Sequence, residues 1–437
     1  MKRLLCALVV LGGCGNSPTG NDAAVPDLAT MNDLTSGPPD LSAKPSVDFC
    51  QLPGSIVYSA NGQQKIPGGP AFDISWIQAP NGFCVHWFAN VPDARQLRFA
   101  PGGELFVSSP TTPTTGGGPN GLAAIVLLPD DDGDGVADRT IHFLDKLPST
   151  QGLLFANDSL YYQDGTTIRR LSYQSGQRGA SGPGAVVVDV TVYQSFGHWP
   201  KTLDVADDGT IYVGNGGDQY ETCDQTRPFH GGILKLDGSP GGGQVVKGLR
   251  NPIAVRCQRG RGNCFTAELA LDYSAGAGGR EKLIPIHAGD DWGFPCCATK
   301  NLPYMGVQPV PDCSNIQSES NAFVIGETPF GIEFDYGAFP APWTSRIFVA
   351  LHGEYGTWRG ARLVAISTDP MTGLPLPSSD LNGGPSGAMD DFATGWDTGK
   401  NDHGRPAALT MSPDGRLFLA NDVDGTIVWF APVRAGG

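Results

Sequence analysis

The sequence predicts an all-β fold, a six-bladed β-propeller, because one hairpin pattern recurs six times along the chain. Each copy contains an apolar alternating run, a turn that often reads Asp-Gly or Gly-Gly, and a second alternating run. Alternation with a period of two predicts a strand, and Asp-Gly between two such runs predicts a hairpin. The copies begin at Ala94, Gln151, Pro200, Asn251, Pro329 and Pro406. Hairpin units spaced by roughly 50 to 80 residues are typical of a radial repeat, which closes without open sheet edges.

The N-terminal segment is typical of an exported lipoprotein. Lys2 and Arg3 precede a short apolar run that ends in Leu11-Gly12-Gly13-Cys14. The run is too short to span a bilayer, and its end resembles a bacterial lipobox, in which Cys14 is acylated. We therefore expect residues 1–14 to be a signal peptide that ends in a lipidated cysteine. The alternative is an ordinary signal peptide with an incidental cysteine.

The next segment, residues 15–47, is rich in Pro, Asp, Ser, Thr and Gly. Such a composition cannot bury a core, so the segment is predicted to be a disordered tether between a membrane and the folded domain. No second linker follows, so residues 48–437 are predicted to form one propeller domain. The expected location is the cell envelope, lipid-anchored to the bacterial outer membrane and either periplasmic or surface-exposed.

The charge balance limits the partners. The chain of 437 residues carries a formal net charge of -15, with Gly 61 and Pro 36. The glycine and proline content suits a turn-rich β-fold. The negative charge argues against nucleic acid or an anionic lipid surface as a partner.

The ten cysteines predict a disulfide framework. Removal of Cys6 and acylation of Cys14 leave eight, an even number that an oxidising compartment permits. Position in the chain indicates two pairs: Cys50 with Cys84, and Cys257 with Cys264. The others are Cys223, Cys296, Cys297 and Cys313. The adjacent pair among them is expected to enter two separate bridges, since a metal site or redox pair would need a spacing that is not present.

An acidic loop between the first two repeats has the spacing of a calcium loop. Asp130, Asp132, Asp134 and Asp138 occupy positions one, three, five and nine, and Gly135 occupies position six. Carboxylates at these positions converge on a hard cation, and the glycine permits the tight turn. We therefore expect Ca²⁺ here, in a structural and not a chemical role. The alternative is a solvated acidic turn.

Polar residues that carry chemistry stand just before the first strand of several repeats. These residues are His198, Arg250, Asn251 and Arg405. In a propeller the first strand of each blade lines the central channel, so the residues before it are expected to meet at one mouth. A base beside arginines suits a polyanionic cofactor and a hydroxyl substrate. The alternative is structural: a rim histidine bonded to backbone, and arginines that pair with carboxylates between blades.

From about residue 94 to 430 the chain resembles the soluble sugar dehydrogenases that depend on pyrroloquinoline quinone (PQQ), the glucose, sorbosone-type and pyranose dehydrogenase group. The resemblance rests on five motifs in family order. They are His198 with Asp208-Gly209-Thr210-Ile211-Tyr212, Gly248-Leu249-Arg250-Asn251, Glu281-Lys282-Leu283-Ile284-Pro285-Ile286, Asp291-Trp292-Gly293-Phe294-Pro295, and Gly404-Arg405-Pro406.

The resemblance implies an activity, two cofactors and residue roles. The implied cofactors are PQQ and Ca²⁺, and His198 matches the base that removes the proton of the substrate hydroxyl. The residues matching quinone-binding groups are Arg250, Asn251 and Arg405, together with Lys201 in place of the usual arginine. Gln151 matches a glutamine near the substrate and the quinone.

The chain departs from the family pattern at two places. The loop that holds the quinone's calcium in the family reads Glu268 to Asp272 here, without the usual Asn and Gly. His352 stands where the glucose enzymes have a lysine. The implied function is oxidation of a sugar or related alcohol, with electrons passing to an unknown acceptor. The alternative is a non-catalytic, lipid-anchored propeller that binds glycan or protein at the same rim.

Overall fold

The fold is the predicted six-bladed β-propeller. In this computed structural model the structure describes residues 47–109, 123–193, 198–217, 223, 229–271, 279–381, 384–400 and 402–434. The predicted signal peptide, Cys14 and all but the last residue of the predicted tether lie outside these residues. In the described part of the chain, no helix has the length and apolar character needed to cross a membrane.

The first described elements precede the repeats. A 3-10 turn spans Phe49–Gln51, and three strands follow: β1 Ile56–Ser59, β2 Gly62–Lys65 and β3 Phe83–Asn90.

Blades 1 to 3 are four-stranded antiparallel sheets in chain order. Blade 1 contains β4 Gln96–Phe99, β5 Leu105–Ser109, β6 Ala123–Leu128 and β7 Ile141–Leu147. Blade 2 contains β8 Leu153–Ala156, β9 Ser159–Asp164, β10 Thr167–Ser172 and β11 Ala185–Asp189, with a 3-10 turn at Val190–Tyr193. Blade 3 contains β12 Leu203–Val205, β13 Ile211–Asn215, β14 Gly232–Lys235 and β15 Gly243–Lys247.

Blades 4 and 5 exchange a short segment. Blade 4 contains β16 Pro252–Gln258, β17 Asn263–Glu268 and β18 Glu281–Pro285. A small separate sheet follows in the chain, formed by β19 Cys297–Thr299 and β20 Leu302–Pro303. The fourth strand of the blade, β21 Asn321–Phe323, comes after it. Blade 5 contains β22 Pro329–Phe334, β23 Arg346–Leu351, β24 Arg362–Ser367 and, after a gap, β27 Met389–Ala393. Within that gap, β25 Ser378–Asp380 and β26 Ser386–Gly387 join blade 4, with β25 parallel to β21.

Blade 6 is built from both ends of the chain. β28 Arg405–Met411, β29 Leu417–Asp422 and β30 Thr426–Pro432 supply its inner strands. β3 pairs antiparallel with β30, from Phe83 opposite Pro432 to Asn90 opposite Thr426. The hairpin of β1 and β2 then extends the sheet beyond β3. Sequence analysis did not predict this closing strand.

The six predicted hairpins form the two inner strands of the six blades. The turn between β12 and β13 shows why the local signal works: Gly209 has φ 83°, a conformation that costs glycine least. The first strands β4, β8, β12, β16, β22 and β28 contact one another in this order and surround the channel. Their starting ends therefore lie at one mouth of that channel.

Four disulfides match the expected framework. The first joins Cys50 to Cys84 and so ties the N-terminal segment to β3. The other three are Cys223–Cys296, Cys257–Cys264 and Cys297–Cys313. The adjacent cysteines thus enter two separate bridges, as predicted.

The channel interior holds a buried ionic cluster. Arg256 bonds to Asp204 at 3.2 Å through Nη1 and to Glu333 through Nε and Nη2. Arg98 lies 3.7 Å from the same Asp204 oxygen. Burial alone would raise the pKa of Asp204, but the two arginines outweigh it and lower that pKa. Because Glu333 also accepts from the Met411 backbone, the cluster connects blades 1, 3, 4, 5 and 6.

Candidate functional site

His198 is half-buried at the channel mouth, five residues before Leu203, where β12 begins. Its Nδ1 lies 2.5 Å from the Gly217 carbonyl oxygen. A carbonyl oxygen only accepts, so Nδ1 carries a proton, and in the neutral imidazole the lone pair is on Nε2. The Gly217 N–H donates in turn to the Arg250 carbonyl at 2.8 Å, which links His198 to blade 4.

Two glycines make room for this arrangement. A Cβ at Gly216 would lie 2.5 Å from the His198 Cβ, and one at Gly217 would lie 1.9 Å from the His230 carbonyl oxygen. Side chains at either position would push the imidazole or its support away. The close approach of His198 to this backbone therefore depends on both glycines.

Arg250 and Asn251 precede β16 and are buried. The Arg250 N–H donates to Glu268 Oε1 at 2.9 Å, and its Nη1 donates to the Ala270 carbonyl at 2.8 Å. Glu268 is held by Lys282 at 2.8 Å. Arg250 Nε and Asn251 Oδ1 have no hydrogen-bond partner among the described residues.

Arg405 opens β28 on the opposite side of the same mouth. Its Nε donates to the His352 carbonyl at 2.8 Å, its Nη2 donates to the Gly353 carbonyl, and its guanidinium lies 4.5 Å from the Trp358 ring centre. Burial lowers the pKa of Arg405 to about 10, so it stays charged at neutral pH.

Three further residues join Arg405 to His198 around the mouth. His352 Nε2 lies 2.8 Å from Asp422 Oδ1, and Arg95 Nε lies 3.0 Å from Asp422 Oδ2. The Arg95 guanidinium lies between the rings of Trp199 and Phe330, at 5.7 and 5.1 Å from their centres. The residues expected to meet at one mouth are therefore connected through Asp422 and Arg95.

Gln151 is buried just before β8. Its N–H donates to Gln163 Oε1 at 3.0 Å, and its Nε2 lies 3.4 Å from the Ile253 carbonyl oxygen. Its Oε1 is buried without a hydrogen-bond partner in the described part of the chain. Gln151 therefore reaches from blade 2 to blade 4 at the mouth.

Lys201 was expected to bind the quinone, but its contacts are to its own loop. Nζ donates to the carbonyls of His198 at 2.7 Å, Trp199 at 3.3 Å and Pro200 at 3.5 Å. The side chain is only 2% exposed. The described contacts thus give no support to a quinone-binding role for Lys201.

The calcium loop of the resemblance is described only in part. Asp272 lies outside the described residues. Glu268 is engaged with Lys282 and Arg250, so in residues 268–271 backbone carbonyls are the oxygens that remain for a cation. His352, which replaces the family lysine, is buried against Asp422.

The acidic loop brings three of its four predicted ligands together. Oxygens of Asp130, Asp132 and Asp134 lie within 4.8 Å of one another. Asp138 instead accepts the Asp131 N–H at 2.6 Å. This cluster lies between β6 and β7, away from the channel mouth.

The site residues offer a donor for the carboxylates and carbonyls of an acidic cofactor such as PQQ, and acceptors for N–H or O–H groups of cofactor or substrate. Three buried polar atoms have no partners among the described residues: Arg250 Nε, which donates, and Asn251 Oδ1 and Gln151 Oε1, which accept. Leaving such atoms unpaired is costly, so they are typical of a surface that a polar ligand completes.

Three residues of the mouth were not predicted from the sequence: Arg95, Gln163 and Asp422. Arg95 stands just before β4, so the rule that identified Arg250 and Arg405 also covers it. Gln163 is a buried polar residue inside an apolar hairpin, which is an available signal. Asp422 ends β29, and its position at the mouth follows only from the strand pairing.

One family model matches part of the chain. The model described as "Domain of unknown function (DUF7133)" matches residues 70–270. No curated protein matches the sequence.

Comparison with solved structures identifies the fold. The chain is similar to a Trichoderma reesei protein of Carbohydrate-Active Enzymes Family AA12, at 17% identity over 83% of this chain and 100% of that chain, with a TM-score of 0.64 for its iodide structure. The calcium structure of the AA12 protein gives 17% identity over 82% of this chain and 97% of that chain, with a TM-score of 0.61. The holo form of the pyranose dehydrogenase PQQ domain from Coprinopsis cinerea gives 16% identity over 83% of this chain and 98% of that chain, with a TM-score of 0.63. At these identities the likeness shows a shared fold.

Proposed function

We propose that the protein is a quinone-dependent oxidoreductase that oxidises a sugar or a related alcohol, with PQQ and Ca²⁺ as cofactors. The observation that carries the proposal is the His198–Gly217–Arg250 connection. It links an imidazole to the backbone of Arg250, and Arg250 and its neighbour Asn251 each carry a buried polar atom without a partner among the described residues. The shared fold with a PQQ domain and with a protein solved with calcium supports the choice of cofactors.

Each residue at the mouth has a distinct task. His198 Nε2 takes the proton of the substrate hydroxyl, because its Nδ1 is committed to the Gly217 carbonyl. Arg250, Asn251 and Arg405 would hold carboxylates and carbonyls of the quinone, and Gln151 lies where it can bond to quinone or substrate. When bound, PQQ would supply an acceptor for the substrate hydride, and Ca²⁺ would supply a Lewis acid.

The test is spectroscopic titration of the purified domain with PQQ and Ca²⁺, followed by dye-linked oxidation of aldoses and polyols. His198→Ala should lower kcat by about 10² to 10⁴ and leave quinone affinity unchanged, since it removes a positioned base. Arg250→Ala should instead weaken quinone binding by roughly 10- to 100-fold, because it removes charge-assisted hydrogen bonds.

The matched control is His287→Ala, which removes an exposed histidine on blade 4 and should change neither quantity. If the wild-type domain binds no quinone and oxidises no sugar or polyol, the oxidoreductase proposal is wrong. The non-catalytic propeller that binds glycan or protein at this mouth then takes its place.

We also propose that acylated Cys14 anchors the protein in the cell envelope, on the lipobox and tether described above. Fractionation of cells that express Cys14→Ala should recover the protein as a soluble or uncleaved species. Equal membrane association of variant and wild type would contradict the anchor.

A further inference from the structure

Lys201 places a buried ammonium group against backbone carbonyls. Its three acceptors are the consecutive carbonyl oxygens of His198, Trp199 and Pro200, at 2.7, 3.3 and 3.5 Å. In the described part of the chain no carboxylate lies within ion-pair distance of Nζ. A protonated lysine has three N–H donors and no acceptor, so its donors match the three carbonyls in number.

The same short segment is held from blade 2. Gln163 Nε2 donates to the Trp199 carbonyl at 2.6 Å, and Gln163 Oε1 accepts the Lys201 N–H at 3.0 Å. Two side chains therefore hold the segment from His198 to Lys201: the charged Lys201 of the segment itself and the neutral Gln163 of blade 2. Of the two, only Lys201 contacts the carbonyl of His198 itself.

A lysine is rarely buried without a counter-ion, because removing an ammonium from water is expensive. Among the described residues, the cost of burying Lys201 is offset only by hydrogen bonds to the loop that presents His198. The contacts therefore indicate that the charge serves the geometry of this loop.

We propose that Lys201 is the positioning residue of His198, whose protonated amine fixes the loop through three carbonyls so that the imidazole keeps its bond to Gly217. The inference rests on the proposed function, in which His198 acts as the base. Lys201 acts through His198 and has no contact with the reacting atoms.

The geometry makes the loop sensitive to pH. Burial lowers the pKa of Lys201 to about 7, and no charged or titratable group of the described residues contributes to that shift. A neutral amine has two N–H donors, so one carbonyl loses its donor as the pH rises through this value. The orientation of His198 should then weaken on the alkaline side of this value.

The first experiment needs no activity. In the ¹⁵N-histidine NMR spectrum of the wild-type domain, with His198 assigned from His198→Ala, the imidazole signals should shift in a step near pH 7 that belongs to Lys201. Lys201→Arg keeps a permanent charge and should remove that step. Identical pH titrations of the His198 signals in wild type and Lys201→Arg would overturn the proposal.

The second experiment measures kinetics of the quinone-loaded domain. Lys201→Met should lower kcat by roughly 10- to 100-fold at every pH, because small displacements of a catalytic group cost about this much, while quinone affinity stays unchanged. Lys201→Arg should restore kcat and flatten the alkaline decline of the wild type. Lys235→Met, an exposed lysine of the same blade, is the control and should behave as wild type.

The outcomes separate the two proposals. If the His198 signals show a step near pH 7 that Lys201→Arg removes, but no sugar is oxidised, the positioning role stands and the proposed function falls. If sugar is oxidised and Lys201→Met has the wild-type kcat and pH profile, the proposed function stands and the positioning role is wrong.

Discussion

Asp422 is the residue at which the charges of the channel mouth meet. It contacts His352 and Arg95 and is paired in the sheet with Arg405. Burial alone would raise its pKa, but His352 and Arg95 together lower it. For His352 burial is the largest effect and the neighbouring Arg405 the next, and they lower its pKa to about 4. His352 is therefore neutral at physiological pH.

This pair predicts a loss of stability in acid. Between about pH 6.5 and 4 the unfolded chain binds a proton at His352 that the folded protein does not, so the free energy of unfolding falls as the pH is lowered. Asp422 adds a loss at lower pH, because its folded pKa is also depressed. His352→Gln should remove the first loss, on the order of 3 kcal/mol over that range.

Urea unfolding at several pH values measures this effect. The control is His287→Gln, because His287 is exposed. An unchanged slope in His352→Gln between pH 6.5 and 4 would show that His352 is not the responsible group.

For single residues, the sequence predicted which positions lie at the channel mouth but not where their side chains point. His198, Arg250 and Arg405 were found at the mouth because strand order alone determines which ends surround the channel. Lys201 was predicted to bind the quinone, and its contacts to its own loop were not predicted, because a flexible side chain that turns back on its own loop has the same sequence signature as one that reaches a ligand. Asp422 was missed because its neighbours come from blades 1 and 5.

The acidic loop between β6 and β7 contacts the seam of the propeller, by which we mean the pairing of β3 with β30. Trp429 Nε1 donates to the Gly135 carbonyl at 2.9 Å, and the Ala137 N–H donates to the Phe88 carbonyl at 2.9 Å. The loop of blade 1 therefore contacts both β30 and β3. A cation held by Asp130, Asp132 and Asp134 would stiffen this contact.

We accordingly predict that Ca²⁺ binds the loop and raises the melting temperature. Asp132→Ala combined with Asp134→Ala should abolish this binding in calorimetry, because both ligands are exposed and replaceable without disturbing the core. Asp207→Ala plus Asp208→Ala, in another hairpin turn, is the control for the loss of charge. Identical Ca²⁺ titrations of variant and wild type would leave a solvated acidic turn as the correct interpretation.

The hairpins were predictable because their signals are local. Asp-Gly turns and alternating runs lie within one short window, as at Gly209. The interrupted fourth strand of blade 4 and the parallel strand β25 have no such local signal, since their pairing joins distant segments. Both strands are short: β21 follows a long connection after β18, and β25 lies in the connection between β24 and β27.

The whole molecule is closed by the pairing of β3 with β30. Phe83, Val85 and Phe88 are buried in this seam, each 2% exposed or less. Burying such a side chain contributes roughly 1.5 to 3 kcal/mol, so the seam is worth several kcal/mol.

A chain that begins at Val91 should therefore lose stability by several kcal/mol and expose the edge of β30, which promotes aggregation. A chain that begins at Val47 keeps the seam and is the control. Calorimetry and light scattering compare the two. Equal melting temperatures and monodisperse solutions for both would show that the propeller does not need its N-terminal strand.

The seam joins an early and a late strand of the chain, so it is the last part of the propeller that can form during synthesis. The Asn90 side chain donates to the Asp424 carbonyl, and these residues are 334 positions apart in the chain. At roughly 5 to 20 residues per second, β3 waits for tens of seconds on the ribosome before its partner strand exists. Its disulfide joins cysteines only 34 positions apart, so that bridge has both of its thiols long before the ring is shut. An apolar strand left without its neighbour for this period exposes an unpaired edge, so the growing chain is most prone to aggregation until the last strand arrives.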